Sequence, residues 1–174
     1  MNLEMFDEKQ QEQIKKGQKA GIDVSLYADP KYDYLQMAAI AEGLRSYVDV
    51  SLYADPKYDW RQMEQIVLGL KKNLDASIYA DPQYDWHQMY ELRAGLKNGV
   101  DVSLYADPKF NSMQMFQIRY GLKNGVDVSL YADPKYDSDQ MEKIRTGLEE
   151  KSLKAEKDRP AVHLNKPTGK GLER

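Results

Sequence analysis

The side chains with the most evident chemical potential in this chain are acids and hydroxyls that recur at fixed places. Around four of the five Asp-Pro turns stand three aspartates, such as Asp49, Asp55 and Asp59 with Ser51 between the first two, and the fourth turn has Asn111 as its third member. Carboxylates this close in sequence are raw material for a cation site or for general acid–base work. A calcium loop needs D-x-D-x-D-G spacing and a distal glutamate, and no turn has that order. Two of the three aspartates also stand where helix caps belong. The serine recurs at 25, 51, 77, 103 and 129, a multiplicity that suits structure and not a nucleophile. Histidine is limited to His87 and His163, and cysteine is absent. Ser/His/Asp and Cys/His arrangements therefore have almost no material. No G-x-x-x-x-G-K-[ST] or G-x-G-x-x-G element is present, and Gly169-Lys170-Gly171 has no strand pattern before it. The expectation is a protein without catalytic, metal-binding or cofactor-binding residues.

Charge and hydropathy narrow the classes further. The 174 residues are 41% hydrophobic and 30% charged, which suits one ordinary globular domain. The net charge of −3 is unevenly spread. Residues 151–174 hold seven Lys/Arg against three acids, so this end is +4 and residues 1–150 are −7. An acidic body argues against a surface that neutralises phosphates, hence against direct nucleic-acid binding. The opening M-N-L-E-M-F-D lacks the basic and apolar regions of a secretory signal. No apolar run approaches the roughly 20 residues of a membrane span. A cytoplasmic protein with no membrane contact is expected.

The elements that carry these residues follow from one period. The Asp of an A-D-P triplet falls at Asp29, Asp55, Asp81, Asp107 and Asp133, each 26 residues after the last. A fixed period of this size marks an array in which each unit completes its core against its neighbours. Within a unit, Asp101 is a candidate N-cap for V-S-L-Y-A, and Asp107-Pro108 stops it. That reads as a helix of little more than one turn. Val100, Val102 and Leu104 also alternate at period two, so a short strand and an α/β strand-plus-helix solenoid form the alternative. The second element is a longer helix of about 13 residues. Asp59 and Gln62 have capping-box spacing. The same spacing recurs at Asp33/Gln36, Asp85/Gln88, Asn111/Gln114 and Asp137/Gln140. Asn98-Gly99 and Asn124-Gly125 have the composition of left-handed C-caps.

The expected fold is all-α: a short α-solenoid of five 26-residue two-helix repeats with an N-terminal capping helix. Repeats span about 22–47, 48–73, 74–99, 100–125 and 126–152 of a domain covering 1–152. Residues 6–21 form a degenerate capping helix, with Gln11 and Gln18 where inner copies have Met and Leu. Residues 153–174 lose the period and read as a basic flexible tail.

Comparison of the copies separates two kinds of position. Gln, Met, Ile/Leu, Gly and Leu hardly change along the long helix. The recurrent Gly, disfavoured by about 1 kcal/mol in a helix, points to close approach of a neighbouring backbone or helix. The Gln either caps its own helix or bonds along the stack. Trp60 and Trp86 suit stacking between repeats. A second stripe varies freely: Leu35-Ala38-Glu42, Arg61-Glu64-Leu68, His87-Tyr90-Ala94, Met113-Phe116-Tyr120 and Asp139-Glu142-Thr146. A solvated stripe is rich in Lys and Glu. Here the middle units are aromatic and Met, the types enriched in interface cores. His87, Tyr90, Met113, Phe116 and Tyr120, with Arg61 and Glu64 beside them, are the candidate partner-binding residues. Drift of unconstrained positions, or packing of this stripe on the tail, is the rival explanation.

Units of the form G-V-D-V-S-L-Y-A-D-P-K-Y-D-x-x-Q-M-x-x-I-R-x-G-L resemble tandem repeats of uncharacterised proteins from Gram-positive gut bacteria, some on mobile elements. The match spans about residues 6–150 and implies no activity. The N-G-V-D-V-S stretch is also similar to the ankyrin N-G-A-D-V-N turn, which implies a distant likeness of architecture. The expected function is a non-catalytic repeat scaffold, a monomer or weak self-associator, that binds a protein partner through the variable face. The alternative is an acidic nucleic-acid mimic that occupies a DNA-binding protein, as anti-restriction inhibitors do.

Overall fold

The computed structural model describes residues 2–157. Six long helices follow one another: α1 (Glu8–Lys19), α2 (Tyr34–Arg45), α3 (Trp60–Leu70), α4 (Trp86–Asn98), α5 (Ser112–Lys123) and α6 (Ser138–Lys157). Each packs on the next, which makes a helical stack in chain order. Between them lie three-residue 3-10 helices at Val24–Leu26, Val50–Leu52, Ala76–Ile78, Val102–Leu104 and Val128–Leu130. A further one, Leu3–Met5, precedes α1. Every regular element among the described residues is helical, so the strand-plus-helix alternative is overturned.

The short element explains why the period-two pattern misled. Residues three apart eclipse on a 3-10 helix, so Val102 and Tyr105 both face the core, while Leu104 points outward and is 48% exposed. Leu26, Ile78 and Leu130 are exposed in the same way. An aspartate opens each of the five short helices between the long ones and accepts from the backbone N–H two residues on, as Asp101 does from Ser103 at 3.0 Å.

Caps and stops of the long helices are local chemistry repeated. Asp59 accepts from the N–H of Gln62 at 3.0 Å, and the Gln62 side-chain oxygen accepts from the N–H of Asp59 at 2.7 Å. The other five long helices have the same reciprocal box, with Asn111 in place of Asp on α5. At the far end, Gly125 N–H donates to the Leu122 carbonyl at 3.1 Å and Val126 N–H to Gly121 at 2.9 Å, a Schellman closure. It requires a left-handed residue. Gly21, Gly99 and Gly125 supply it, whereas Tyr47 (φ 56°) and Asn73 (φ 55°) take it without glycine's freedom.

The joint between units is built from one tyrosine and one glutamine. Tyr27, Tyr53, Tyr79, Tyr105 and Tyr131 are essentially fully buried. Each hydroxyl lies over the recurrent Gly of the preceding helix and donates to the carbonyl one turn before it, as Tyr105 does to Glu91 at 3.3 Å. A Cβ on Gly17, Gly43, Gly69, Gly95 or Gly121 would fall 1.8–1.9 Å from that hydroxyl. The glycine thus admits a tyrosine side chain, and not the neighbouring backbone or helix expected from sequence. The glutamine does both of its candidate jobs. While its oxygen closes the capping box, Gln88 Nε2 donates across the junction to the Phe110 carbonyl at 2.6 Å and to Pro108 at 3.1 Å. Gln10, Gln36, Gln62 and Gln114 repeat the bridge.

The two ends differ from the middle. Gln11 donates to the carbonyls of Leu3 (3.0 Å) and Phe6 (2.9 Å), which fastens the leading short helix over the first long one. At the other end α6 runs to Lys157. Lys151 and Ser152 stand where α5 is followed by Gly125 and Val126, so the apolar residue that follows every inner stop is missing and the helix continues. The helix takes in residues 153–157, the first five of the expected tail. The rest of the expected flexible tail, from 158 on, lies outside the described residues. No helix among the described residues is long and apolar enough to cross a membrane.

Candidate functional site

Nine of the fifteen side chains of the variable stripe gather into two apolar grooves. One lies between α4 and α5, about 380 Å³, and is lined by Trp86, His87, Tyr90, Ser112, Met113 and Phe116. Register explains the gathering: His87 and Tyr90 are three apart on α4, and Met113 and Phe116 occupy the same positions on α5. Tyr90 is 45% exposed and Met113 56%. His87 lies flat on Trp86, ring centroids 3.5 Å apart. Tyr120 extends the groove on the α5 side, its ring 5.8 Å from that of Phe116.

A polar groove of about 370 Å³ adjoins this one along Tyr90 and is lined by Arg93, Lys97, Asn98 and Arg119. Its two arginines, and Arg145 on α6 beyond the groove, are held in place from beneath. Arg93 Nε donates to Gln65 at 3.0 Å, Arg119 Nε to Glu91 at 2.6 Å, and Arg145 Nε to Gln117 at 2.9 Å. Each guanidinium crosses one helix interface, and each covers an aromatic ring of the stripe. Arg93 lies over Tyr90 (5.3 Å), Arg119 over Phe116 (5.4 Å) and Arg145 over Tyr120 (4.7 Å). Burial pushes the Glu91 carboxyl above its ordinary range, against the opposing pull of the Arg119 hydrogen bond.

The second apolar groove, about 400 Å³, lies between α2 and α3 and is lined by Leu35, Ala38, Trp60, Glu64, Val67 and Leu68 among others. Its rim holds Glu42 and Lys71, whose Nζ–Oε1 distance is 2.8 Å. The Lys71 hydrogen bond lowers the Glu42 pKa.

Of the residues expected from sequence, His87, Tyr90, Met113 and Phe116 meet in one groove and Tyr120 adjoins it. Glu64 lines the other groove. Arg61 joins neither: its guanidinium lies 4.7 Å from the Trp60 ring. Both tryptophans, expected to stack between repeats, are half-buried and stand between successive long helices as walls of the grooves. The arginine ladder was missed. A signal for it exists: Arg93, Arg119 and Arg145 recur at the 26-residue period, each 28 residues after Gln65, Glu91 and Gln117.

The acids that opened the chemical reading are occupied by their own turns. Asp49 accepts from Ser51 N–H at 2.9 Å, Asp59 caps α3, and Asp55 accepts from Lys57 N–H at 3.0 Å with the Lys57 ammonium 3.5 Å away. The Ser51 hydroxyl together with its N–H holds Asp49, and the Lys57 N–H holds Asp55, below the usual aspartate range. No family model, curated protein or solved structure matches this chain.

Proposed function

We propose that the protein is a non-catalytic, cytoplasmic repeat scaffold that binds a protein segment through the variable face of its long helices. The observation that carries this reading is the α4–α5 groove. The positions at which the copies disagree assemble there into one wall of exposed aromatic and Met side chains. Aromatic, Met and Arg side chains are the usual anchors of protein interfaces. The groove suits an aliphatic or aromatic anchor, and the Arg93–Lys97 side suits an acidic residue next to it. Replacing Tyr90, Phe116 and Tyr120 together with Ser tests the proposal. Capture of a partner from cells that make the protein should be lost, while the fold persists.

A nucleic-acid mimic is the second reading, favoured by the −7 charge of residues 1–150 and by the recurrence of exposed aspartates. Against it stand the cations beside Tyr90 and the lysines that accompany Asp29, Asp55 and Asp133. Salt discriminates between the two. Mimicry loses affinity steeply as ionic strength rises, whereas an aromatic groove is much less sensitive.

A further inference from the structure

The last unit presents a complete joint with nothing from the described residues in it. Gly147 is the sixth recurrent glycine, and a Cβ there would meet nothing within 4 Å, unlike those of the five preceding helices. Gln140 closes the capping box of α6 through Oε1. It is exposed, whereas the five equivalent glutamines are buried against the carbonyls of a following turn. Tyr136, Gln140, Lys143 and Ile144 line a shallow groove of about 270 Å³ on this face.

What fits the face is shown by the five inner junctions. Each receives a short turn whose tyrosine enters the notch over the glycine, and whose next aromatic residue and proline offer carbonyls to the glutamine. We propose that the α6 face is an acceptor for a V-S-L-Y-A-D-P-x-Y turn presented by another polypeptide, the unpaired first unit of a second array of this repeat type. The occupied joint would continue the interface the chain already makes five times. Lys143 stands where the inner helices have Gln, Ala or Glu, and it adds a cation suited to an aspartate-rich turn. A second copy of this chain is a poor donor. Its five turns are all engaged, and its leading turn, Leu3–Met5, ends in Phe6 and carries no tyrosine.

The test uses a labelled peptide with the sequence of residues 125–137, titrated into the full chain and followed by fluorescence anisotropy. Saturable binding is expected. It should weaken at least tenfold when the peptide tyrosine corresponding to Tyr131 becomes Ala, and at least tenfold against Gly147→Ala, which fills the notch in open space without disturbing the helix. Absence of saturable binding overturns the proposal, as does equal affinity for Gly147→Ala. Binding that appears only after truncation at Lys157 also overturns it, because the chain's own remaining residues then occupy the face. Self-association of the full chain that Gly147→Ala abolishes overturns it in favour of a second copy.

Discussion

The tyrosine joints and the variable face use the same amino acids to opposite ends. In the joints, Tyr105 is 1% exposed and reaches a backbone carbonyl through a notch that only glycine leaves open. On the variable face, Tyr90 is 45% exposed and covered on one side by Arg93. The joint recurs because each interface of the stack has the same shape to fill, and any drift there meets a steric penalty. The face is released from that constraint, and its copies have diverged into two grooves of different composition. Sameness between copies therefore marks what holds the array together, and difference marks where it can be read.

Breaking a joint should have the largest effect. Gly95→Leu would drive a side chain into the Tyr105 hydroxyl and Val102, an overpacking expected to cost about 3 kcal/mol or more. The same change at Gly147, which faces open space, should leave the urea midpoint unchanged or raised. Equal losses at the two glycines would show that the notch does not explain the recurrent glycine.

Alkali probes the same joints without mutation. Burial raises the pKa of Tyr27, Tyr53, Tyr79, Tyr105 and Tyr131, the last to about 12. The sign is that of a raised folded value: stability is fully present below the unfolded tyrosine pKa, near 10, and is lost as pH rises through the folded values. Beyond the contribution of exposed tyrosines such as Tyr47 and Tyr90, tyrosinate absorbance should show a cooperative step that coincides with loss of helical circular dichroism above about pH 11. Completion of the tyrosinate signal with helicity intact would contradict buried joints.

The arginine ladder separates burial from charge. Glu91→Gln should change stability by less than about 1 kcal/mol, because Gln65 and Gln117 already accept from Arg93 and Arg145 in equivalent geometry. Glu91→Ala strands the half-buried Arg119 guanidinium and should cost about 2 kcal/mol. Thermal melts of the pair distinguish these outcomes. A smaller gain is expected from Tyr47→Gly. Tyr47 is 97% exposed and left-handed at a helix stop, so glycine should stabilise by about 1 kcal/mol.

Much of the fold was legible because period, caps and stops are local signals that agree with one another. Asp59 with Gln62 announces a helix start whatever packs on it, and Asn124-Gly125 announces a stop. The short element was harder. Val102 and Leu104 alternate like a strand, and only the position of the core shows that Val102 pairs with Tyr105 instead. The recurrent glycine signalled close approach, but its tyrosine partner lies ten residues further on, across a turn whose path the sequence does not state. The aromatic groove was visible in the divergence between copies. Trp60 and Trp86 read as stacking between repeats, and nothing in the sequence showed that the same rings also wall the grooves. The arginine ladder also escaped, because a polar contact between helices leaves no hydrophobic period to read.

The most direct test of the account compares wild type with Tyr90→Ser/Phe116→Ser/Tyr120→Ser in quantitative affinity capture from cells that make the protein, each with its own thermal melt. The account predicts that the principal wild-type partner is lost by tenfold or more. The melt should fall by only a few degrees, in keeping with an exposed groove wall and a loss of about 2 kcal/mol. Equal capture by both proteins, or collapse of the variant's fold, would contradict the claim that divergence between the copies marks a binding surface.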